Sequence, residues 1–369
     1  MKIDKWLFFS FIGLTIFGLI MMSSMSVSDS YALTDGGDNS FYFKRHFFYI
    51  LIGIPLFLSA LKFPYESLKK NSVLLFLLSI ILLIFTLVKG ENFGTAARSW
   101  IRLFGFSFQP VELVKLTTII FLSAIFSSGK NNPNSLIGGF LPFSIALGIP
   151  AILIVAQPDF GSLFVLIIIV SCIYFVAGAS LKHFFGGFGI FLVGATIIVL
   201  SKSYILHRIK VFLDPSLDPL NTGFQVKQAL IAIGSGGPWG LGFQNSIQRF
   251  DYLPEVQSDT IFAAIAEEMG FFRILILVGI YLFIIYRGLF IAKNAPDEFS
   301  KLLAIGITVW ISGQAFINIA VNLALLPNTG ITLPLISYGG SSMIVTFIGF
   351  GILLNISNNL REVKKKYYL

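Results

Sequence analysis

Ten apolar stretches recur along this 369-residue chain and constrain its fold more than any other feature. They are Trp6 to Met25, Phe47 to Leu61, Val73 to Val88, Leu113 to Phe126, Ile137 to Ala156, Gly161 to Ala177, Phe184 to Leu200, Phe271 to Tyr286, Leu302 to Leu325 and Ser337 to Ile356. A helix needs about 20 apolar residues to cross a hydrocarbon core of about 30 Å, a length the shorter runs reach if their ends extend into the flanks. Charged residues amount to 12%, about half of what a water-facing surface carries. That scarcity excludes a soluble multidomain protein and a disordered chain alike. A disulfide scaffold is excluded too, because Cys172 is the only cysteine; inside its apolar run it reads as a small buried hydrophobe. The pattern predicts an all-α polytopic membrane protein with ten transmembrane helices, organised as one membrane domain over residues 1–369. The first run follows Lys2 and Lys5 but exceeds the roughly 7–15 apolar residues of a signal peptide, so it reads as a retained anchor.

Ten crossings put both termini on one side. The short loops and ends of that side carry fourteen Lys and Arg, among them Lys62, Lys69, Lys70, Lys182, Lys293 and Lys301, against five opposite: Lys44, Arg45, Lys89, Arg98 and Arg102. The positive-inside rule makes the richer side, and both termini, cytoplasmic. The net charge of +8 reads as this anchoring rather than as a nucleic-acid footprint. The one long connection, residues 201–260, then lies outside. It is too small for an independent catalytic domain, and an ordered loop of that length is usually functional. Re-entrant or amphipathic elements are expected in it. No internal repeat suggests an inverted-repeat transporter.

Ionisable groups beside membrane spans are costly and are functional candidates by default. Four places stand out, all on the outer half. In Gln109-Pro-Val-Glu112-Leu-Val-Lys115, the two charges share a helix face at i,i+3. Pro110 suits a first turn and Glu112 complements the helix dipole. The pair is either a structural pin or a substrate contact through Lys115. In Gln157-Pro-Asp159-Phe-Gly-Ser162, Asp159 reads chiefly as a helix cap. In the outer loop, Asp214-Pro-Ser-Leu-Asp-Pro219 reads as consecutive turns, and His207 as a loop residue. Gly234-Ser-Gly-Gly237 fails as a dinucleotide fingerprint and reads better as the glycine end of a helix. The loop closes on Leu253-Pro-Glu255-Val-Gln-Ser-Asp259. Asp259 sits where polar loop becomes apolar helix, so it is either an N-cap or a carboxylate whose pKa desolvation raises into the range of a general base. The fourth place, Gly330-Ile-Thr-Leu-Pro-Leu-Ile-Ser337-Tyr-Gly-Gly-Ser341-Ser342, is small and polar, suited to close helix packing or to the wall of a groove. No Cys or His cluster has metal-ligand spacing.

Taken in order, Gln109-Pro-x-Glu-x-x-Lys115, Pro158-Asp-x-Gly161, Gly234-Ser-Gly-Gly237, Leu253-Pro-Glu-x-x-x-Asp259-x-Ile-Phe262 and Leu333-Pro-x-Ile-Ser-Tyr-Gly-Gly-Ser-Ser342 resemble the SEDS family, the FtsW/RodA/SpoVE group, along practically the whole chain. Ser246-Ile-Gln-Arg-Phe-x-Tyr-Leu-Pro-Glu255, Gly330-Ile-Thr-Leu-Pro334 and Ser23-Ser-Met-Ser26 lean toward its FtsW-like division branch rather than the RodA-like elongation branch. Departures fall near Asp259, where Gln257, Ser258 and Thr260 replace the usual His, Thr and Phe, and at Ser99, a frequent Arg. The resemblance implies a peptidoglycan glycosyltransferase polymerising lipid II at the outer face of a bacterial cytoplasmic membrane. It further implies a class B penicillin-binding transpeptidase as partner, within a division or elongation complex of other membrane proteins and lipids. Asp259 aligns with the family's essential aspartate. Pyrophosphate is already a good leaving group, so one carboxylate acting as base suffices, with displacement inverting the donor's anomeric centre. Candidate substrate contacts are Arg98, Arg102, Glu112, Lys115, Arg208, Lys210, Gln248, Arg249, Glu255, Ser337, Ser341 and Ser342. No obligatory cofactor is evident. A divalent cation, Mg or Mn, bridging Asp259 or Glu255 to phosphate is an open expectation, and a lipid II flippase is the competing one.

Overall fold

The computed structural model describes residues 3–91, 99–103, 106–129, 131–183, 185–187, 189, 194, 203–249 and 253–367. The seventh apolar run and Arg98 lie largely or wholly outside them. The other nine runs coincide with helices, whose ends differ from the runs by up to about ten residues. They are α1 (Lys5–Met25), α3 (Phe41–Lys62), α5 (Ser72–Lys89), α6 (Pro110–Phe126), α7 (Leu141–Ala156, entered through a π turn at Leu136–Phe140), α8 (Phe160–Val176), α11 (Ile261–Lys293), α12 (Glu298–Asn322) and α13 (Gly340–Tyr367). Short helices α2 (Val27–Leu33) and α4 (Tyr65–Lys70) fill two connections. Among the described residues seven helical segments are long and apolar enough to cross a membrane, while α6 and α8, 17 residues each, are shorter. The chain is a polytopic helical membrane protein.

Burial sorts these helices into a centre and a ring. The apolar windows of α12 and α13 are 83% and 89% buried, whereas those of α3, α5 and α11 are 33% buried and turn the rest toward lipid. Nearly every residue of α6 is buried as well, including Glu112 and Lys115, so α6 has little lipid-facing surface to cover. Close approach comes from small residues. A Cβ on Gly351 would meet the Phe57 carbonyl at 2.7 Å, and one on Gly53 the Phe347 ring at 2.7 Å, which locks α3 against α13. At the end carrying both termini, Asp4 caps α1 and ion-pairs with Arg287 of α11.

One feature corrects the all-α expectation, and a second gives form to the elements expected in the long connection. A two-stranded antiparallel hairpin, β1 (Ile101–Leu103) with β2 (Phe106–Phe108), precedes α6 in the register Ile101 to Phe108. The long connection is itself built, from α9 (Ser203–Leu213), a 3₁₀ turn at Pro215–Leu217 and α10 (Thr222–Ser235). The Asp214 carboxylate accepts from Ser216 N–H to start that turn. Gly236, directly after α10, is there for contact: a Cβ on it would lie 2.2 Å from the Ala266 carbonyl oxygen.

Helix α11 is two segments joined at Gly270, whose φ of 75° is open only to glycine without strain. The break frees two N–H and two C=O groups, and the loop before it satisfies them. Phe271 N–H and Phe272 N–H donate to the carbonyls of Gly237 and Pro238, and the Glu267 and Glu268 carbonyls accept from Leu241 N–H and Gly242 N–H.

Candidate functional site

The wall of a cavity of about 1150 Å³ is built at one end of the bundle, from the α2–α3 and α5–α6 connections, the α7–α8 turn, the long connection and the α12–α13 loop, together with the first turns of α3, α6, α8 and α13. Among the described residues, the turns at the other end, 62–72, 126–141, 176–182 and 293–298, contribute nothing to it. Asp259, Glu255, Lys115, Glu112, Arg102, Arg208 and Ser342, seven of the sequence candidates, face this one space.

Asp259 does not cap its helix. Thr260 is the N-cap of α11, with no side-chain cap bond, and the Asp259 carboxylate accepts from its own backbone N–H and, at a long 3.5 Å, from the Ser258 hydroxyl. Its backbone carbonyl is gripped instead: Asn318 and Asn322 of α12 each donate a side-chain N–H to it at 2.8 Å. The side chain is thereby held at the cavity wall, 9% exposed. Burial first, and the negative charge of Glu255 second, push its pKa up to about 7, against the pull of the Arg208 guanidinium. Glu255 occupies a left-handed backbone conformation, φ 54°. The turn is closed by Ser258 N–H donating to the Glu255 carbonyl and by Ser258 Oγ donating to its carboxylate at 2.9 Å. A strained non-glycine residue persists only where its surroundings over-determine it.

Glu112 and Lys115 pair as their spacing requires, Nζ to Oε2 2.8 Å, with side chains 5% and 2% exposed. Lys115 Nζ also donates to Gln314 Oε1 at 2.8 Å, and Gln314 in turn donates to Thr332. The pair is both a pin between α6 and α12 and part of the cavity wall. Asp159 caps α8 through Ser162 N–H, as expected, and additionally accepts from the Gln109 side chain at 3.0 Å. Arg208 reaches from α9 to the Asn328 carbonyl at 2.8 Å, and Arg102 makes an exposed pair with Glu91 at 3.4 Å.

The remaining candidates lie elsewhere, and each for a physical reason. Arg249 donates to Ser24 and sits 3.8 Å from the buried Glu268, and the Gln248 backbone N–H donates to Glu267, so both fasten the long connection to α1 and α11. Lys210 is exposed on α9, away from the cavity, and His207 pairs with Asp218 at 3.4 Å. Ser337 accepts from Leu333 N–H and Ser341 from Gln109 N–H, holding loops rather than lining the space. Cys172 is half-buried against the core. Sequence reasoning missed Asn318, Asn322 and Gln314, since amides within apolar helices carry no spacing signal, and also Tyr42, Arg45 and Tyr338 on the cavity wall.

A family model described as a cell cycle protein, covering FtsW, RodA and SpoVE, matches residues 5–362. A probable peptidoglycan glycosyltransferase FtsW from Idiomarina loihiensis is 36% identical over 98% of this chain and 89% of its own. One from Francisella salina is 39% identical over 96% and 89%. Among solved structures, a chain from work on "Structural coordination of polymerization and crosslinking by a peptidoglycan synthase complex" superposes with a TM-score of 0.81 at 25% identity, over 98% of this chain and 99% of that one. The Thermus thermophilus rod shape-determining protein RodA shares the fold, with a TM-score of 0.72 at 24% identity over 97% and 98%. With its motifs in family order and all but its extreme ends matched, this chain belongs to the FtsW/RodA/SpoVE family of membrane proteins.

Proposed function

We propose that the protein is a peptidoglycan glycosyltransferase that polymerises lipid II at the outer face of a bacterial cytoplasmic membrane, in the division role of its FtsW relatives. The single observation that carries this reading is the buried Asp259 carboxylate, released from any capping duty and turned into a cavity that also holds cations. In this mechanism Asp259 takes the proton of the acceptor sugar hydroxyl. The hydroxyl oxygen then bonds to the anomeric carbon of the donor as that carbon's bond to the pyrophosphate oxygen breaks. Arg208, Arg102 and Lys115 offset the charge arriving on the departing pyrophosphate. Glu112 and Gln314 keep Lys115 aimed.

Asp259 and Glu255, two of the four carboxylates on the cavity wall, offer the hard oxygen donors that Mg²⁺ or Mn²⁺ takes, and among the described residues no group of three or more His, Cys, Asp or Glu is placed to hold an ion. Such an ion would be completed by water and phosphate oxygens and would supply further charge neutralisation. A class B penicillin-binding transpeptidase as partner is supported by the likeness to a chain of a complex that couples polymerization to crosslinking. The full arrangement is one membrane domain of ten crossings over residues 1–369, both termini cytoplasmic and the 201–260 connection outside.

The test is glycan synthesis from lipid II by Asp259→Asn with its transpeptidase partner. Loss of a general base costs about 10²–10⁴-fold; a merely twofold drop would return Asp259 to a structural role. Lipid translocation without polymer, by the wild-type protein in proteoliposomes, would favour the flippase reading instead. Placement of the cavity at one end of the bundle argues against that, because a carrier must open its site to both sides in turn.

A further inference from the structure

Next to Asp259 the cavity wall changes character from charged to aromatic. Tyr42 and Tyr338 meet edge to face, ring centroids 5.0 Å apart, and Tyr49 supports Tyr338 from behind at 6.2 Å. The approach is close enough that a Cβ on Gly340 would lie 2.2 Å from the Tyr49 ring. Arg45 lies 4.7 Å over the Phe41 ring and hydrogen-bonds the Tyr338 hydroxyl. The ledge is fastened to the Asp259 turn at two points. Tyr338 N–H donates to the Gln257 carbonyl at 2.8 Å, and the Tyr42 side chain shares a hydrogen bond with that of Gln257, two residues before Asp259. Phe41, Tyr42, Arg45 and Tyr338 all line the cavity. An ion pair has no use for such a surface.

We propose that Tyr42 and Tyr338 form a saccharide platform, on which an N-acetylated pyranose of the acceptor lays its apolar C–H face so that its hydroxyl meets Asp259. Resting on the reaction proposed above, this adds the recognition of the sugar itself, which no cation in the cavity can supply. Aromatic rings provide large contact area and a polar tip at little cost in side-chain entropy. The hydroxyls of the platform and the Gln257 amide are placed for the sugar's polar rim. Arg45 holds the Tyr338 ring in place from its edge.

The experiment uses the full chain carrying Asp259→Asn, so that turnover is slowed about 10²–10⁴-fold, and measures binding of lipid II and, separately, of undecaprenyl pyrophosphate, which has the same lipid and pyrophosphate but no saccharide. Adding Tyr42→Leu is expected to weaken lipid II binding about tenfold while leaving undecaprenyl pyrophosphate binding within about twofold. Tyr42→Phe, which keeps the ring, is expected to stay within about threefold for both. Equal losses for the two ligands would overturn the platform, since the ring would then serve cavity shape or lipid. Unchanged lipid II binding by Tyr42→Leu would overturn it too. If the Asp259→Asn protein polymerises at close to the wild-type rate, the glycosyltransferase assignment of Asp259 fails first, and that outcome is distinct from either of the others.

Discussion

At the residue scale, the decisive contrast is between carboxylates that are spent on structure and one that is not. Asp159, Asp214 and Asp297 each accept from a backbone N–H two or three residues on, while Asp259 accepts none from its helix. A base must be ionised to act, and burial has moved the Asp259 midpoint up to about 7. Polymerisation is therefore expected to fall about tenfold per pH unit below 7 and to level off above it. Glu255→Gln removes the neighbouring negative charge that helps raise Asp259, so the acidic limb of the profile moves to lower pH. A limb that stays put in this variant would mean that another group titrates. Asn322→Leu takes away one of two donors to the Asp259 carbonyl and is expected to lower the rate at saturating lipid II by about tenfold, since small displacements of a catalytic group are costly. Charge made Asp259, Glu112 and Lys115 legible in the sequence, because each is an expensive exception in an apolar chain. Asn318, Asn322, Gln314 and the tyrosine ledge were illegible for the converse reason. Their polarity is ordinary, and only the packing of α12 and α13 against the Asp259 turn gives it a target.

At the scale of elements, hydrophobic runs located helices well and their ends poorly. The run starting at Phe271 reads the second segment of α11 and misses the first, Ile261 to Met269, because Glu267 and Glu268 interrupt the apolar pattern. Those two glutamates are buried, accepting from Ser24 and Ser246 side chains and from Ile247 N–H, a pairing that a one-dimensional pattern cannot display. The broken helix also depends on Gly270. A Cβ there would stand 2.1 Å from the Gly240 nitrogen on a backbone at φ 75°, so Gly270→Ala is expected to cost at least about 1–3 kcal/mol. A lowered Tm in detergent checks this. Gly279, in the second segment, has nothing within 4 Å of its would-be Cβ, so Gly279→Ala is expected to leave Tm unchanged or slightly raised. Equal destabilisation by both would locate the effect in helix α11 generally and not in the kink.

At the scale of the molecule, two independent asymmetries coincide. The cavity opens at the end of the bundle whose short loops carry few Lys and Arg, and the basic turns gather at the other. If the positive-inside rule sets the orientation, then the basic end is cytoplasmic and chemistry at Asp259 is confined to the outside. The same logic turns the proposed seventh crossing into a test. Lys182 follows α8 at the basic end and Lys210 lies on α9; on the proposed topology the two stand on opposite sides, with the run 184–200, largely outside the described residues, between them. Cys172 is the chain's only cysteine, which makes Cys172→Ala a clean background for single-cysteine variants. Lys70, Lys182, Lys210 and Lys293 are all exposed, so replacing each by cysteine should disturb little. A membrane-impermeant maleimide added to intact spheroplasts is expected to label Lys210→Cys only, and the other three only after permeabilisation. Labelling of both Lys182→Cys and Lys210→Cys from outside would remove the crossing at 184–200 and make the number of spans odd on that side of the chain. Labelling of Lys70→Cys from outside would invert the molecule, place the cavity in the cytoplasm and end the case for polymerisation at the outer face.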